Sequence, residues 1–143
     1  MDGIRVLLVD DEEEFTSVLS ERMQTRGLIV DVSANGQDAL TLANEETYDA
    51  VILDLAMPGM DGIETLKRLV KMNPDIQVIL LTGHATLQKS VEAMKSGAME
   101  FMEKPVKIDV LLEKIQQAHD KHEQLTETRI DDMLSDITKR MGW

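Results

Sequence analysis

Five short apolar runs alternate with five amphipathic stretches along the chain, and this alternation limits the possible folds more than any other feature. The apolar runs, each predicted to be a strand, cover residues 4–9, 28–32, 50–54, 76–81 and 100–103. Between them apolar residues recur at helical spacing, and Gly, Asn and Pro mark the breaks. The pattern predicts an α/β fold, a doubly wound five-stranded parallel sheet covered on both faces. In the flavodoxin-like strand order 2-1-3-4-5, strands one and three are neighbours, and ligands bind beyond the carboxyl ends of the strands.

The third apolar run ends abruptly in a carboxylate. Residues 50–53 are continuously apolar, as expected of a strand buried on both faces, and Asp54 follows at once. Pro58, Gly59 and Gly62 then indicate a loop, because Pro lacks a backbone donor and Gly accepts turn dihedral angles. Asp54 is therefore predicted at the carboxyl end of a buried strand. Taken alone, it could equally be the cap of the following turn.

Other strand ends carry residues of complementary chemistry. Asp10 and Asp11 follow strand one, Thr82 ends strand four, and Lys104 follows strand five. Carboxylates that converge at the switch point repel each other, and a hard divalent cation such as Mg²⁺ would relieve that repulsion. A hydroxyl donor and a lysine ammonium suit a phosphoryl oxygen, and Pro105 predicts a fixed peptide, cis or trans, that aims the lysine. Each of these residues alone could be a helix-start acid, a helix cap or a solvated lysine. Such separate roles do not explain why all of them lie at the carboxyl edge of one sheet.

The composition excludes several classes of function. Asp and Glu number 27 against 15 Lys and Arg, a net charge of −12, which argues against direct nucleic-acid binding because that binding relies on basic residues. The chain has no Cys, so disulfides and thiolate metal sites are excluded, as is usual for a protein of a reducing compartment. We predict a cytoplasmic location and no membrane contact, because no apolar run approaches the length of a membrane span.

At these residues the sequence resembles the receiver domain of two-component response regulators. The resemblance covers residues 4–118. Its motifs are the acidic pair after Leu7-Leu8-Val9, the run 54–62, the stretch 81–84 and the stretch 101–105. The residues around Thr82-Gly83-His84-Ala85 are similar to those of nitrogen-regulator receivers, although His84 by itself is interpreted as an ordinary loop residue. The resemblance implies a CheY-like fold.

The resemblance also implies a role for each matching residue. Asp54 would be the phosphoacceptor. Asp11, Asp54 and the backbone carbonyl of Ala56 would hold Mg²⁺, with Asp10 contributing through water.

Three further residues would act on the phosphoryl group or respond to it. Thr82 would donate a hydrogen bond to the phosphoryl group, and Lys104 would pair with it. Phe101 would be the aromatic side chain that moves with Thr82 on activation. Receivers often have Tyr at that position, so an output contact through a hydroxyl group is not expected here.

The predicted function is a phosphoryl-accepting signalling switch rather than an enzyme. Its expected partners are a sensor histidine kinase or phosphotransfer protein, an unidentified downstream protein and, as an alternative, a second copy of the chain. A receiver cut from a longer transcription regulator is a second interpretation. A phosphatase with an aspartyl-phosphate intermediate usually has a second Asp two residues after the nucleophile, where this chain has Ala56. A flavin carrier of similar topology would need a phosphate loop where this chain has acidic residues.

The residues after the receiver resemblance predict an appendage. We divide the chain into a receiver domain, residues 1–119, and a helical extension, residues 120–143. Thr128 with Asp131 is a capping signal for an amphipathic helix over 129–141, either separate or continuous with the fifth helix. Its apolar face would fold back on the domain or bind a partner. His119 and His122 share a face and are expected to be solvated. The apolar residues of the helix are Ile130, Met133, Leu134, Ile137 and Met141.

Overall fold

The computed structural model describes residues 1–57, 60–83 and 86–142. Strands and helices alternate along the described chain, as the sequence predicts. The strands are β1 Arg5–Val9, β2 Ile29–Ser33, β3 Ala50–Leu53, β4 Val78–Thr82 and β5 Glu100–Glu103. The helices are α1 Glu13–Thr25, α2 Gly36–Glu45, α3 Gly62–Met72, α4 Leu87–Lys95 and α5 Ile108–Arg140. Pro58, Gly59 and His84, on which sequence predictions were made, lie outside the described residues.

All five strands form one parallel sheet in the order β2-β1-β3-β4-β5, which confirms the doubly wound, flavodoxin-like fold. Side chains alternate across each strand, so successive residues enter different cores. Leu7 and Val9 of β1 pack with α2, α3 and α4 on one face, and Val6 and Leu8 pack with α1 and α5 on the other. β1 and β3 are neighbours at the centre, so their carboxyl ends meet at the switch point.

Polar side chains cap the first turns of three helices. Asn35 caps α2, Asp61 caps α3 and Thr86 caps α4, each accepting a backbone N–H three residues later. The apolar spacing in α4 correctly predicts a helix. However, Leu87 is 82% exposed and Val91 is also exposed, so that apolar face does not lie in the core.

The fifth helix is continuous with the predicted C-terminal helix, which is one of the two alternatives that the sequence left open. α5 runs unbroken through Arg140, so Thr128 does not begin a helix, and its hydroxyl instead donates to the carbonyl of Gln124 at 3.0 Å. The apolar residues beyond Arg129 are exposed rather than folded back on the domain. The boundary proposed between residues 119 and 120 lies inside this helix, and the division into two units remains a prediction.

The prediction that the two histidines are solvated was wrong. His122 is buried, and His119 Nδ1 lies 2.8 Å from Asp49 Oδ1. The cause is that α5 still packs along the domain at this point, so the face that carries both side chains meets the residue preceding β3. None of the helices in the described part of the chain has the length and apolar character needed to cross a membrane.

Candidate functional site

Two buried aspartates stand side by side at the carboxyl ends of β1 and β3. The backbone N–H of Asp10 donates to Ser33 O and that of Asp54 to Val9 O, each at 3.0 Å, so the parallel ladder continues one residue beyond each strand. This fixes both residues at the same edge. Asp10 is 3% exposed and Asp54 is 4% exposed. The structure therefore places two carboxylates together at the predicted switch point.

Each aspartate uses one oxygen to hold its own loop. Asp10 Oδ1 accepts the backbone N–H of Glu12 at 2.9 Å, and Asp54 Oδ1 accepts that of Ala56 at 3.1 Å. These bonds two residues along the chain are the usual turn contacts of Asp. The capping role considered for Asp54 is therefore present, but it occupies only one of the two carboxylate oxygens. The second oxygen of each carboxylate faces Lys104.

Lys104 joins the two carboxylates across the edge of the sheet. Its backbone N–H donates to Thr82 O at 3.0 Å, which positions the residue beside the end of β4. Its Nζ donates to Asp10 Oδ2 at 2.7 Å and to Glu12 Oε1 at 3.1 Å, and lies 3.9 Å from Asp54 Oδ2. The Lys104–Pro105 peptide is cis, one of the two geometries considered from the sequence.

Burial and charge act against each other at this cluster. Burial raises the pKa of Asp10, and the nearby Asp54 carboxylate raises it further, while the hydrogen bonds from Lys104 and Glu12 act in the opposite direction. For Lys104 burial alone would lower the pKa, but the hydrogen bonds to Asp10 and Glu12 raise it above its ordinary value. Lys104 therefore stays cationic, and the surplus of negative charge remains on the carboxylates.

One group of acidic side chains among the described residues could hold a metal ion. Asp10, Glu12 and Asp54 each offer an oxygen, and these oxygens lie within 4.8 Å of one another. Carboxylate oxygens are the donors that Mg²⁺ and Ca²⁺ prefer, so the cluster fits a hard divalent cation. Asp11, which the resemblance implies as a direct ligand, is exposed and is not part of this group.

Two residues of the site were missed in the sequence. Glu12 follows the acidic pair Asp10-Asp11 and no role was predicted for it, yet its side chain reaches Lys104. The signal was available, because an Asp that accepts the N–H two residues later turns the chain back toward the strand end. No site role was predicted for Phe15, yet Lys104 Nζ lies 4.1 Å from its ring centroid. That contact joins two distant elements, and nothing in the spacing predicts it.

The remaining predicted site residues border the cluster. Thr82 is the last residue of β4 and is fully buried. Phe101 is half-buried, pairs in register with Leu80 of β4, and packs against the core on the side of α4. Ala56 is exposed beside Asp54. The edge thus combines a buried carboxylate, an ammonium group, a hydroxyl side chain and oxygen donors for a cation, which is a set suited to phosphoryl chemistry.

Comparison with known proteins agrees with the class that this fold and edge define. The family model described as the response regulator receiver domain matches residues 6–116, so the chain belongs to the response regulator receiver domain family. The transcriptional regulatory protein ZraR of Salmonella typhimurium is 35% identical over 115 residues, 80% of this chain. The match covers 26% of that protein, so the chain spans about a quarter of the length of such relatives. Receiver domains are signalling switches.

Solved structures give the same result. A CheY-like response regulator receiver domain protein from Methanospirillum hungatei is 30% identical and superposes with a TM-score of 0.81, covering 85% of this chain and 97% of that one. A response regulator protein from Burkholderia pseudomallei, solved with a phosphorylated aspartic acid, a calcium ion and citrate, is 26% identical with a TM-score of 0.75. That match covers 96% of this chain and 82% of the other.

Proposed function

We propose that Asp54 is the residue that accepts the phosphoryl group in this receiver. The observation that carries the proposal is its position: a buried carboxylate at the switch point with Oδ2 3.9 Å from Lys104 and not bonded to it at short range. Asp10 is bound by Lys104 at 2.7 Å, so Asp54 has the freer oxygen of the two. The phosphorylated aspartic acid in the Burkholderia pseudomallei relative supports the same chemistry.

The proposed step is a transfer from a phosphohistidine to Asp54. An oxygen of Asp54 attacks the phosphorus, the phosphorus–nitrogen bond breaks, and the imidazole leaves with a proton taken from solvent. A carboxylate is a weak nucleophile that needs little proton transfer, so the protein contributes mainly position and charge neutralisation. Lys104 pairs with the phosphoryl oxygens, and Thr82 donates a hydrogen bond to them. The reaction ends at the aspartyl phosphate, so we do not expect turnover of small phosphoesters.

The oxygen donors at this edge would hold Mg²⁺, the cofactor proposed for this chain. Asp10, Asp11, Asp54 and the carbonyl of Ala56 are the proposed ligands, and Glu12 is a further candidate because its oxygen lies in the same group. When bound, the cation neutralises charge on the transferring phosphoryl group. A calcium ion in the Burkholderia pseudomallei relative supports a divalent site.

The partner is proposed to be a histidine kinase or phosphotransfer protein that docks beside the site. A groove of about 350 Å³ lies between α1 and the loop after β5. Phe15, Val18, Pro105, Val106 and Ile108 form its apolar lining. Phe15 also contacts Lys104, so a helix in this groove would bring its histidine near Asp54. The downstream output is proposed to be a protein contact that responds when Thr82 and Phe101 move.

A mass spectrum tests the acceptor directly. The chain is incubated with acetyl phosphate and Mg²⁺, and we expect a gain of one phosphoryl group that hydroxylamine removes, because acyl phosphates react with that nucleophile. The label should map to the peptide containing Asp54. An acid-stable label, or a label on another residue, would contradict the proposal.

A second experiment separates the partner from the chemistry. Val18→Lys places a charge in the groove, at a residue that is 53% exposed and outside the acidic cluster. We expect transfer from a phosphorylated kinase domain to fall at least about tenfold while labelling by acetyl phosphate is unchanged. Unchanged transfer from the kinase domain would exclude the groove as a docking site, and equal loss with both donors would show that the substitution acts on the acceptor chemistry instead.

In a second candidate function Asp54 accepts the phosphoryl group in the same way, but the downstream effect is control of transcription. The similarity to ZraR favours a receiver that controls transcription through further domains of a longer protein. Reading the coding frame on both sides of residues 1–143 distinguishes this candidate from a receiver that acts alone.

A further inference from the structure

The ammonium group of Lys104 lies over the ring of Phe15 as well as beside three carboxylates. Nζ is 4.1 Å from the ring centroid, well inside the range of about 6 Å in which an aromatic face attracts a cation. In the described part of the chain the other contact of this kind, Arg5 over Tyr48, is at 5.9 Å, near the end of that range. The Lys104 side chain is 14% exposed, and the attraction is stronger where water is excluded. The ring therefore helps to fix the position of the ammonium group.

The contact leaves one N–H of Lys104 for a further acceptor. An ammonium group has three N–H donors, and the hydrogen bonds to Asp10 and Glu12, at 2.7 and 3.1 Å, use two of them. Asp54 Oδ2, at 3.9 Å, is too far away to accept the third. An aromatic face attracts the positive charge but offers no oxygen for that donor. The third N–H thus stays available for an oxygen that arrives at Asp54.

We propose that Phe15 is a positioning residue for phosphoryl transfer, whose ring holds Lys104 Nζ beside Asp54 with one N–H available for a phosphoryl oxygen. This role rests on the proposed function, because it requires that Asp54 accepts the phosphoryl group. Phe15 acts through Lys104 rather than on the phosphoryl group itself. It also lines the groove proposed for the phosphodonor, so one residue would both meet the partner and position the lysine.

An aliphatic side chain at position 15 would not hold the lysine in the same way. The lysine side chain is a flexible four-carbon stem, and Glu12, one of its two short partners, is 59% exposed and can follow it toward solvent. Without the attraction of the ring, Nζ moves with Glu12 toward water and away from Asp54. A displacement of about 1 Å at a group that acts on the reacting atoms slows a reaction severalfold or more.

Packing is the other contribution that Phe15 makes. Its side chain is half-buried against the core between α1, α5 and the sheet, so Phe15→Leu would change packing and charge attraction together. Fluorine atoms draw electron density from the face of the ring and weaken its attraction for a cation, while the ring stays apolar and nearly the same size. A series of phenylalanines with one, two and three fluorine atoms at position 15 therefore varies the attraction at nearly constant packing.

The rate of labelling by acetyl phosphate with Mg²⁺ tests the proposal in the full chain. In this assay Asp54 attacks the phosphorus, the bond from phosphorus to the acetate oxygen breaks, and acetate leaves, so no partner has to dock. We expect the initial rate to fall stepwise along the series, by at least about threefold for the trifluorinated ring, with unchanged circular dichroism. An equal rate for all rings would overturn the proposal.

The same series in Lys104→Ala is the matched control. Without the ammonium group the ring has no cation to attract, so the rate of this variant should be the same for every ring. A stepwise fall that persists in Lys104→Ala would overturn the proposal, because the effect would then not pass through the lysine. If the wild-type chain gains no hydroxylamine-sensitive label, the proposed function fails. If it is labelled normally but the series is flat, only the role of Phe15 fails.

The contact itself is measured by NMR without any phosphodonor. The face of an aromatic ring shifts the signals of nearby protons upfield, so the ε-methylene protons of Lys104 should resonate upfield of those of the other lysines. Phe15→Leu should return them to the common position. Lys104 signals that already lie at the common position in the wild-type chain would overturn the proposal whatever the labelling rates.

Discussion

Two aspartates, one at each end of β3, are both buried or nearly so, yet they have opposite surroundings. Asp49 precedes the strand, and both of its oxygens are bonded at 2.8 Å, one to the backbone N–H of Arg5 and the other to His119. Asp54 follows the strand, accepts one backbone N–H, and has Lys104 only at 3.9 Å from its other oxygen. The first carboxylate is fully bonded, whereas the second shares a single lysine with Asp10 and Glu12.

We infer that this difference separates a structural carboxylate, Asp49, from the proposed phosphoacceptor, Asp54. A buried carboxylate whose oxygens are all hydrogen-bonded is held by the fold and has no oxygen available for a new bond. One that shares its counter-ion with other acids is stabilised by an incoming cation and keeps an oxygen available for a new bond. The residue type is the same at the two ends of β3 and both side chains are largely removed from solvent, so the partners make the difference.

The largest expected effect is a complete difference in phosphoryl labelling between substitutions of Asp54 and of Asp49. Asp54→Asn is expected to abolish hydroxylamine-sensitive labelling by acetyl phosphate, because an amide oxygen is not a nucleophile of this kind, and to change the free energy of unfolding by less than about 1 kcal/mol. Asp49→Asn should show the reverse: normal labelling and a loss of about 1–3 kcal/mol, since His119 and the Arg5 N–H lose a charged acceptor. Intact-mass spectrometry and urea denaturation measure the two quantities. Labelling of Asp54→Asn at the wild-type level would remove the distinction.

Removing the shared lysine should reveal the surplus of negative charge. Lys104→Ala leaves Asp10 buried without its 2.7 Å partner, and we expect a loss of about 2–3 kcal/mol in metal-free buffer. Mg²⁺ should restore part of that loss, so the rise in melting temperature on adding Mg²⁺ should exceed that of the wild type. Phosphorylation should remain possible, with a smaller change in shape on labelling.

Lys114→Ala is the matched control, because Lys114 also forms an ion pair, with Glu100 at 3.1 Å, but away from the cluster. We expect a loss below about 1 kcal/mol and the same response to Mg²⁺ as the wild type. Equal Mg²⁺ responses in Lys104→Ala and the wild type would contradict the role assigned to the lysine.

A third change tests how closely the backbone packs under Asp54. A Cβ on Gly62 would collide with the backbone of Leu55 and approach the carbonyl oxygen of Asp54 at 2.8 Å. Gly62→Ala should therefore cost about 1–3 kcal/mol, measured by thermal melting. Gly83→Ala is the control, because among the described residues a Cβ there meets only the Lys104 side chain, at 3.9 Å or beyond. If the two substitutions lowered the melting temperature equally, the close packing at Gly62 would not contribute to stability.

The same contrast explains what the sequence could predict. Alternation of apolar runs predicted the sheet and its order because right-handed crossovers allow few topologies. That order alone brings Asp10, Asp54 and the ends of β4 and β5 to one edge. Whether a given acid is bonded or free depends on contacts between distant residues, and Lys104 with Phe15 or Asp49 with His119 leave no periodic signal.

The continuity of α5 shows a second limit of sequence reasoning. Thr128 followed by Asp131 matches a capping pattern, but the same residues are compatible with a helix interior when the helix on either side is stable. The histidines at 119 and 122 were expected in solvent because the sequence showed no carboxylate or thiol to support a metal site beside them. In the fold, ion pairs with Asp49 and Asp75 continue the contact after the apolar residues end.

The smallest expected effect is a pH dependence at the Asp49 end. The hydrogen bond to Asp49 raises the pKa of His119 above its ordinary value near 6.5, helped by Glu123 and Asp120 on the same helix, and partial burial opposes this. A group whose pKa is higher in the folded state stabilises the fold fully below its unfolded pKa, and the contribution is lost as pH rises through the folded pKa. The free-energy difference between wild type and His119→Gln should therefore be about 0.5–1 kcal/mol at pH 5.5 and shrink toward zero above pH 8. Because Asp10, whose pKa is also raised, is present in both proteins, the difference isolates His119. Urea denaturation at three pH values measures the difference. A difference that stays the same at all three would show that the histidine acts through packing rather than charge.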